Sequence, residues 1–351
     1  MKNFKSLKKI IFATFVLFLI FLTGCGGGEV IRIFNWGDFL DEILLSEFTE
    51  ETGIRVIYSN FASNEEMYAR LTSGGAEYDL LFPSDYMIER LISEGRLARI
   101  DFSNIPNITN IDPRFLNTSY DPEGAYSVAY MWGTLGVLYN SSMIFPEDSV
   151  DSWSILWNEN YARSIYMYDS MRDSFTVAQK LLGFSINSKD ETELALARDL
   201  LIAQRPLVRA FVGDDVKHSM IGAEAALAVV YSGDAIYSME FNSELRFANP
   251  KEGTNLFIDA MVIPVNAPNK EGAESFINFL NRPEIAARNS EYIGYTTANL
   301  AALPFIPEEM RENPYFWQEE ALNNPLNEQF LHLGDFTALM DRAWTQVLAT
   351  R

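Results

Sequence analysis

Lys251-Glu252-Gly253-Thr254-Asn255-Leu256-Phe257-Ile258-Asp259-Ala260-Met261-Val262-Ile263-Pro264 is the stretch on which the reading of this chain turns. From Leu256 to Ile263 every position except Asp259 is apolar, and such a run between turn signals predicts a strand buried on both faces. Asp259 is then costly. An ionised carboxylate taken out of water loses several kcal/mol, on the order of ~3 to 5, unless a cation or good donors meet it. No Lys or Arg stands within six residues of it on either side. Either a distant basic residue of the chain reaches Asp259, or the cation comes from outside the protein.

Strands of this kind belong to α/β layers, and the flanking sequence supplies them. Val30 to Phe34 predicts a first strand, followed by the loop Asn35-Trp36-Gly37-Asp38-Phe39. A helix with Leu40, Ile43, Leu44 and Phe48 on one face then runs to Gly53. Ile54 to Tyr58 is the next strand, and Ser63-Asn64-Glu65-Glu66 has the spacing of a capping box. Asp79 to Phe82 leads as a third strand into Pro83-Ser84-Asp85-Tyr86 and a helix from about Tyr86 to Ser93. The alternation describes one α/β lobe with a largely parallel sheet. Residues 101–123 predict loop with short helices at most, and Gly133 and Gly136 break two apolar runs where the chain passes to a second lobe. There Ile165 to Tyr168, Leu207 to Phe211 and Leu227 to Tyr231 are strands, with helices over Ser174 to Leu182 and Glu191 to Leu201. The stretch quoted first returns the chain to the first lobe, a helix follows over Gly272 to Leu280, and a last helix spans about Phe336 to Leu348. The expected division is residues 30–132 plus 256–303 for the first lobe and 133–255 plus 304–351 for the second.

The N-terminus bears on compartment. Lys2, Lys5, Lys8 and Lys9 precede an apolar segment from Ile10 to Leu22, which ends in Leu22-Thr23-Gly24-Cys25. That is the pattern of a signal peptide, too short to span a bilayer comfortably, over residues 1–24. Leu-Thr-Gly-Cys resembles a bacterial lipobox, so Cys25, the single cysteine, is expected to carry lipid, with residues 25–29 as a tether. The location expected is periplasmic or otherwise extracytoplasmic, anchored to the membrane by lipid. Removing four lysines and no acids takes the net charge from −21 to −25. This balance excludes nucleic acid and anionic lipid surfaces as natural partners and suits a cation.

Catalytic equipment is sparse. The chain has two histidines, His218 and His332, no zinc-binding His-Glu-x-x-His, no phosphate loop and no Gly-x-Ser-x-Gly elbow. No cofactor or metal is expected, and the protein reads as a binder, not an enzyme. An acid pair for glycoside hydrolysis is the enzymatic alternative, since it needs only two carboxylates. What is abundant is an aromatic residue beside an acid at strand ends, where α/β sheets hold ligands. Trp36, Gly37 and Phe39 follow the first strand, Ser84, Asp85 and Tyr86 the third. Asp169 and Asp173 follow the strand containing Tyr168, Tyr231 ends another, Phe257 shares a strand face with Asp259, and Tyr295 closes a later loop. Aromatic faces attract ammonium groups by about 0.5 to 2 kcal/mol and pack against methylenes, and carboxylates supply the opposite charge. Together they describe a slot for a linear aliphatic cation with an amine at each end. Each residue also has an ordinary alternative: Trp36 as core, Ser84 as helix cap, Asp169 or Asp173 paired with Arg172, and Tyr231 or Tyr295 bonded internally.

With these residues in view the chain resembles the periplasmic spermidine/putrescine-binding proteins of bacterial polyamine ABC transporters. The resemblance is carried by Phe34-Asn35-Trp36, by Glu51 to Ser59, by Ser63-Asn64-Glu65, by Tyr78-Asp79-Leu80 and by Pro83-Ser84. It continues through Ser127 to Gly133, Lys251-Glu252-Gly253, Asn269 to Ala273, Ile277 to Leu280 and Ile293-Gly294-Tyr295. It implies a two-lobed periplasmic binding protein fold of type II, with crossed-over sheets and an interlobe ligand cleft. It also implies capture of putrescine or spermidine, delivery to an ABC transporter permease, and a monomer. The family's cleft Trp falls on Trp36, its Ser and Tyr after strand three on Ser84 and Tyr86, its essential Asp on Asp259 and its late Tyr on Tyr295. The second acidic cluster falls on Asp169 to Asp173, with Ser170 where an acid is expected. Spermidine-type members have Thr and Tyr at Gly37 and Phe39 and Trp at Tyr231 and Phe257, so the slot keeps its aromatic character and loses hydrogen bonds. A binding protein of the same fold for a ferric ion or a sugar is the remaining alternative; neither solute explains Asp259.

Overall fold

The computed structural model describes residues 29–74, 77–213 and 215–350. The expected signal peptide, Cys25 and all of the tether but Glu29 lie outside them. Among the described residues the strands are β1 (Val30–Trp36), β2 (Arg55–Phe61), β3 (Leu80–Leu81), β4 (Ser127–Asn140), β5 (Ile165–Tyr168), β6 (Val208–Val212), β7 (Leu227–Tyr231), β8 (Leu245–Ala248), β9 (Leu256–Val262) and β10 (Thr296–Thr297).

They form two sheets of the same plan. In the first the order is β2-β1-β3-β9-β4, with β10 antiparallel to β4 as well; β1 is parallel to β2 and β3, and β9 runs antiparallel between β3 and β4. In the second the order is β6-β5-β7-β4-β8, with β5 parallel to its neighbours and β4 antiparallel to β7 and β8. Each sheet thus takes as its single inserted antiparallel strand one that arrives from the other half of the molecule, β9 in the first and β4 in the second. This exchange is the crossed-over arrangement of the type II fold.

β4 makes the exchange without a break. Ser127 to Thr134 pair with β9, and Leu135 to Asn140 pair with β7 and β8. The sequence reading placed breaks at Gly133 and Gly136, and the structure corrects it: both lie inside one 14-residue strand. Their role is clearance. A Cβ on Gly133 would stand 2.5 Å from Ser232 Oγ and 2.9 Å from the Phe257 ring, and one on Gly136 would stand 2.3 Å from Phe247. Gly here marks close approach, not a chain turn.

The two largest apolar clusters among the described residues follow the two sheets. One joins Ile33, Phe48, Leu80, Met131, Ile258 and Phe276; the other joins Leu135, Trp153, Phe175, Leu227, Met340 and Val347. Phe48 shows how the first is assembled. It is fully buried, 4.9 Å from Phe276 and 5.5 Å from Phe279, and such burial stabilises by about 1.5 to 3 kcal/mol. Ile43, expected on the same face, is exposed instead, because it is the first residue of helix Ile43–Thr52. Residues 304–323 contact both halves: Trp317 packs edge-on to Trp132 at 5.5 Å, while Tyr315 meets Phe247 at 5.3 Å. One arm of the capping box forms, Ser63 Oγ accepting from Glu66 N–H at 3.1 Å, while Glu66 Oε2 accepts at 2.9 Å from the N–H of Ala62, one residue before the cap. Helix Pro283–Ile293 carries no part in the sequence reading and fills the flank behind β10.

Candidate functional site

Asp259 sits in the middle of β9, paired with Met131 of β4, in a strand whose seven residues are all buried. It is 6% exposed. Among the described residues no Lys or Arg lies within ion-pairing distance of its carboxylate. Its partner is the Ser84 hydroxyl, which donates to Oδ1 at 2.6 Å. Burial pushes the Asp259 pKa up to about 7, with the Ser84 hydrogen bond opposing the rise. Among the described residues the carboxylate is met by this neutral donor and by no cation.

Ser84 is available because of how helix Asp85–Ser93 begins. The residue stands at the N-cap, yet its side chain makes no capping bond and turns to Asp259. Asn64 Oδ1 accepts from the Ser84 N–H at 3.2 Å, and Asn64 Nδ2 donates to the Tyr86 hydroxyl at 3.2 Å. That hydroxyl donates to Glu65 Oε1 at 3.0 Å, which holds the half-buried Tyr86 ring in place. Asp85 is placed differently from its neighbours. It has no solvent exposure; Oδ1 accepts from the Tyr86 N–H at 2.7 Å and Oδ2 has no hydrogen-bond partner. Burial first, and then the nearby Asp259 carboxylate, push its pKa well up, which disfavours its charged form.

Aromatic side chains continue from Asp259 in a connected series. Phe39 packs edge-on to Tyr130 at 5.5 Å and to Tyr295 at 5.1 Å; Tyr295 meets Phe257 at 6.0 Å, Phe257 meets Tyr231 at 5.0 Å, and Tyr231 meets Tyr168 at 5.3 Å. Phe257 and Asp259 alternate on one face of β9, as the period of a strand requires. The series leads from the first core to the second. A bulge in β4 at Tyr130, where the register with β9 shifts, aims the Tyr130 hydroxyl at Phe39 O, to which it donates at 2.7 Å. Tyr295 lies against helix Ser232–Phe241 where only glycine fits, since a Cβ on Gly233 would stand 2.2 Å from its ring. Trp36 ends β1 and does not stand in a loop; its indole N–H donates to Phe82 O at 2.8 Å and its ring packs on Phe61 at 4.6 Å. Gly37 beside it is exposed, with open space around its Cα.

At the far end the second acid is Asp173. It is buried, its pKa is raised by that burial, and its Oδ1 accepts from the Tyr231 hydroxyl at 2.8 Å. Asp169 is exposed, and among the described residues its carboxylate has no partner. The two acids expected to act together are therefore differently placed. Arg172 pairs with neither. Its Nη1 donates to Leu331 O at 3.0 Å, its Nη2 to Asn187 Oδ1 at 2.9 Å, and its guanidinium lies 4.2 Å over the Phe330 ring. Phe330 packs edge-on to Tyr86 at 6.2 Å. Sequence reasoning passed over Phe330, which sits in a tail without periodicity, and treated Arg172 only as a competitor for the acids.

Two carboxylates, Asp259 with a serine partner and Asp173 with a phenol partner, thus lie on β9 of the first sheet and on the helix that follows β5 of the second, with a series of aromatic rings running from the first core to the second. Residues 44–318 match the bacterial extracellular solute-binding protein family. The chain belongs to that family. It is similar to the spermidine/putrescine-binding periplasmic protein of Escherichia coli strain K12, 38% identical over 298 residues that cover 84% of this chain and 85% of the relative. It is also similar to the putrescine-binding periplasmic protein PotF of Escherichia coli strain K12, 31% identical with 91% of each chain covered. Among solved structures, the spermidine/putrescine ABC transporter substrate-binding protein PotD of Streptococcus pneumoniae superposes with a TM-score of 0.80. It is 39% identical and matched over 91% of this chain and 98% of that one. These relatives are substrate-binding components of transporters and not enzymes, which sets aside the glycosidase alternative.

Proposed function

We propose that this protein is an extracytoplasmic polyamine receptor that delivers putrescine, spermidine or both to an ABC transporter permease. The observation that carries the reading is Asp259, a buried carboxylate with a serine for a partner and no protein cation. An ammonium within about 4 Å of it contributes about 4 kcal/mol at the effective dielectric of a partly buried site, before desolvation is charged against it. The ligand's other ammonium is assigned to Asp173 with Asp169, and its methylenes to Trp36, Phe39, Tyr86, Tyr231, Phe257 and Tyr295. Ser84 orients Asp259, Asp85 lies behind it, and Gly37 leaves the mouth open.

The lobes proposed to close over the ligand are residues 30–132 plus 256–303 and residues 133–255 plus 304–351. β4 and β9 cross between them, and bending there is a hinge motion. Ligand that touches both lobes only when they are shut shifts the population to the shut state. Cys25 is proposed as the lipidated residue that holds the protein, a monomer, at the membrane. Calorimetric titration with putrescine, spermidine, cadaverine and a neutral diol tests the reading. Heat with the amines and none with the diol is expected; no heat with any amine ends it.

A further inference from the structure

A strap from Glu328 to His332 is fastened to one lobe and touches the other. Its backbone runs beside the start of β9, where Leu256 N–H donates to Glu328 O at 2.9 Å and Glu328 N–H donates to Thr254 O at 3.0 Å. On the second lobe Glu328 is paired with the buried Lys180. Asn187 grips the strap twice, Nδ2 donating to Gln329 O at 2.8 Å and Oδ1 accepting from Leu331 N–H at 2.8 Å. Arg172 adds its bond to Leu331 O and its face-on contact with Phe330.

From this anchored ribbon three groups reach the first lobe. His332 N–H donates to Glu89 Oε2 at 2.7 Å, Ser119 Oγ donates to Gln329 Oε1 at 2.7 Å, and the Phe330 ring meets Tyr86. Glu89 lies about one helical turn after Tyr86 on helix Asp85–Ser93. A carboxylate accepting from a backbone N–H is a charge-assisted hydrogen bond, stronger than a neutral one. These contacts join residues 243 and 210 positions apart in sequence, across the two proposed lobes.

We infer that the Glu328–His332 strap is a latch that holds the lobes shut over ligand, with Glu89 as its positioning residue on the first lobe. Resting on the proposed function, the latch sets how long the amine stays, not how fast it arrives. Stabilisation present only in the shut state slows departure and leaves encounter unchanged.

The test is stopped-flow binding of putrescine and of spermidine to wild type, Glu89→Ala and Glu89→Gln. Glu89→Ala is expected to raise the dissociation rate constant about tenfold with the association rate constant within about twofold. Glu89→Gln keeps an acceptor oxygen and is expected to stay within about threefold of wild type in both. An unchanged dissociation rate in Glu89→Ala overturns the latch. So does a Gln variant that loses as much as the Ala variant, which would assign the effect to charge. If wild type binds neither amine, the proposed function fails and small-angle X-ray scattering of the ligand-free proteins decides the latch. A larger radius of gyration in Glu89→Ala than in wild type supports it, and equal radii overturn it.

Discussion

The Ser84 hydroxyl donates to Oδ1 of Asp259 at 2.6 Å across 175 positions of sequence. The bond ties the start of a helix in the first lobe to the middle of a crossing strand. It also fixes the electrostatics of the crevice, because a neutral donor lowers the Asp259 pKa but leaves it at about 7.

Amine affinity should therefore depend on pH in the neutral range. Binding needs Asp259 ionised, so affinity is expected to be level above its pKa of about 7. Below it, affinity is expected to fall by up to about tenfold per pH unit. Binding at neutral pH should release protons, seen as calorimetric heats that change with the ionisation enthalpy of the buffer. Buffer-independent heats and a flat profile from about pH 5 to 8 would remove Asp259 from the ligand.

Asp259→Asn separates binding from stability. The variant is expected to lose at least about tenfold in amine affinity, about 1.4 kcal/mol, while staying folded. A carboxyl raised from 3.8 to about 7 binds its proton more tightly folded than unfolded. Its cost to the ligand-free fold is thus largest above pH ~7, on the order of 4 kcal/mol, and is relieved as pH falls from about 7 towards about 4. Scanning calorimetry should place the Tm of Asp259→Asn above wild type near pH ~8, with the gap shrinking near pH ~5.

At the other acid, Tyr231→Phe removes the hydroxyl that donates to Asp173 while keeping the ring. An expected loss of about threefold to tenfold in affinity follows from leaving a buried carboxylate short of a donor. Asp173→Asn should cost at least as much, whereas the exposed Asp169 should cost under about threefold as Asp169→Asn, since exposed charges are well screened. Equal losses at the two aspartates would show that both reach the ligand.

Gly233→Ala places a methyl where Tyr295 has its ring. The ring must move into the slot, and affinity is expected to fall about tenfold, with spermidine hurt differently from putrescine. The same change made in a Tyr295→Ala background should cost under about twofold, because the clash is then gone. Additive losses would show that Gly233 acts elsewhere.

Much of the fold was legible because it is written locally. The apolar run of β9, the capping box at Ser63 and the strand Leu227–Tyr231 each depend on spacing alone. What escaped was set by distant partners. Gly133 and Gly136 carry the local signal of a break, but the rings of Phe257 and Phe247 decide their use. Trp36 reads as loop because it follows Asn35, and pairing of β1 with Phe61 of β2 draws it into the strand. Within the candidate site, Phe257 and Tyr231 pack together at 5.0 Å, while Asp85 turned inward and Phe330 came from a tail that no periodicity marks.

The exchange of β4 and β9 has a consequence for the order of events. In the proposed closure Asp259 is borne on one of the two strands at the hinge, directly beside Met131 on the other, and so is expected to travel little. Asp173, on helix Met171–Leu181, is expected to travel far in the same closure. An arriving amine meets a fixed anchorage at the axle and a mobile jaw beyond it. Docking comes first at the stationary end, and clamping is the step left over.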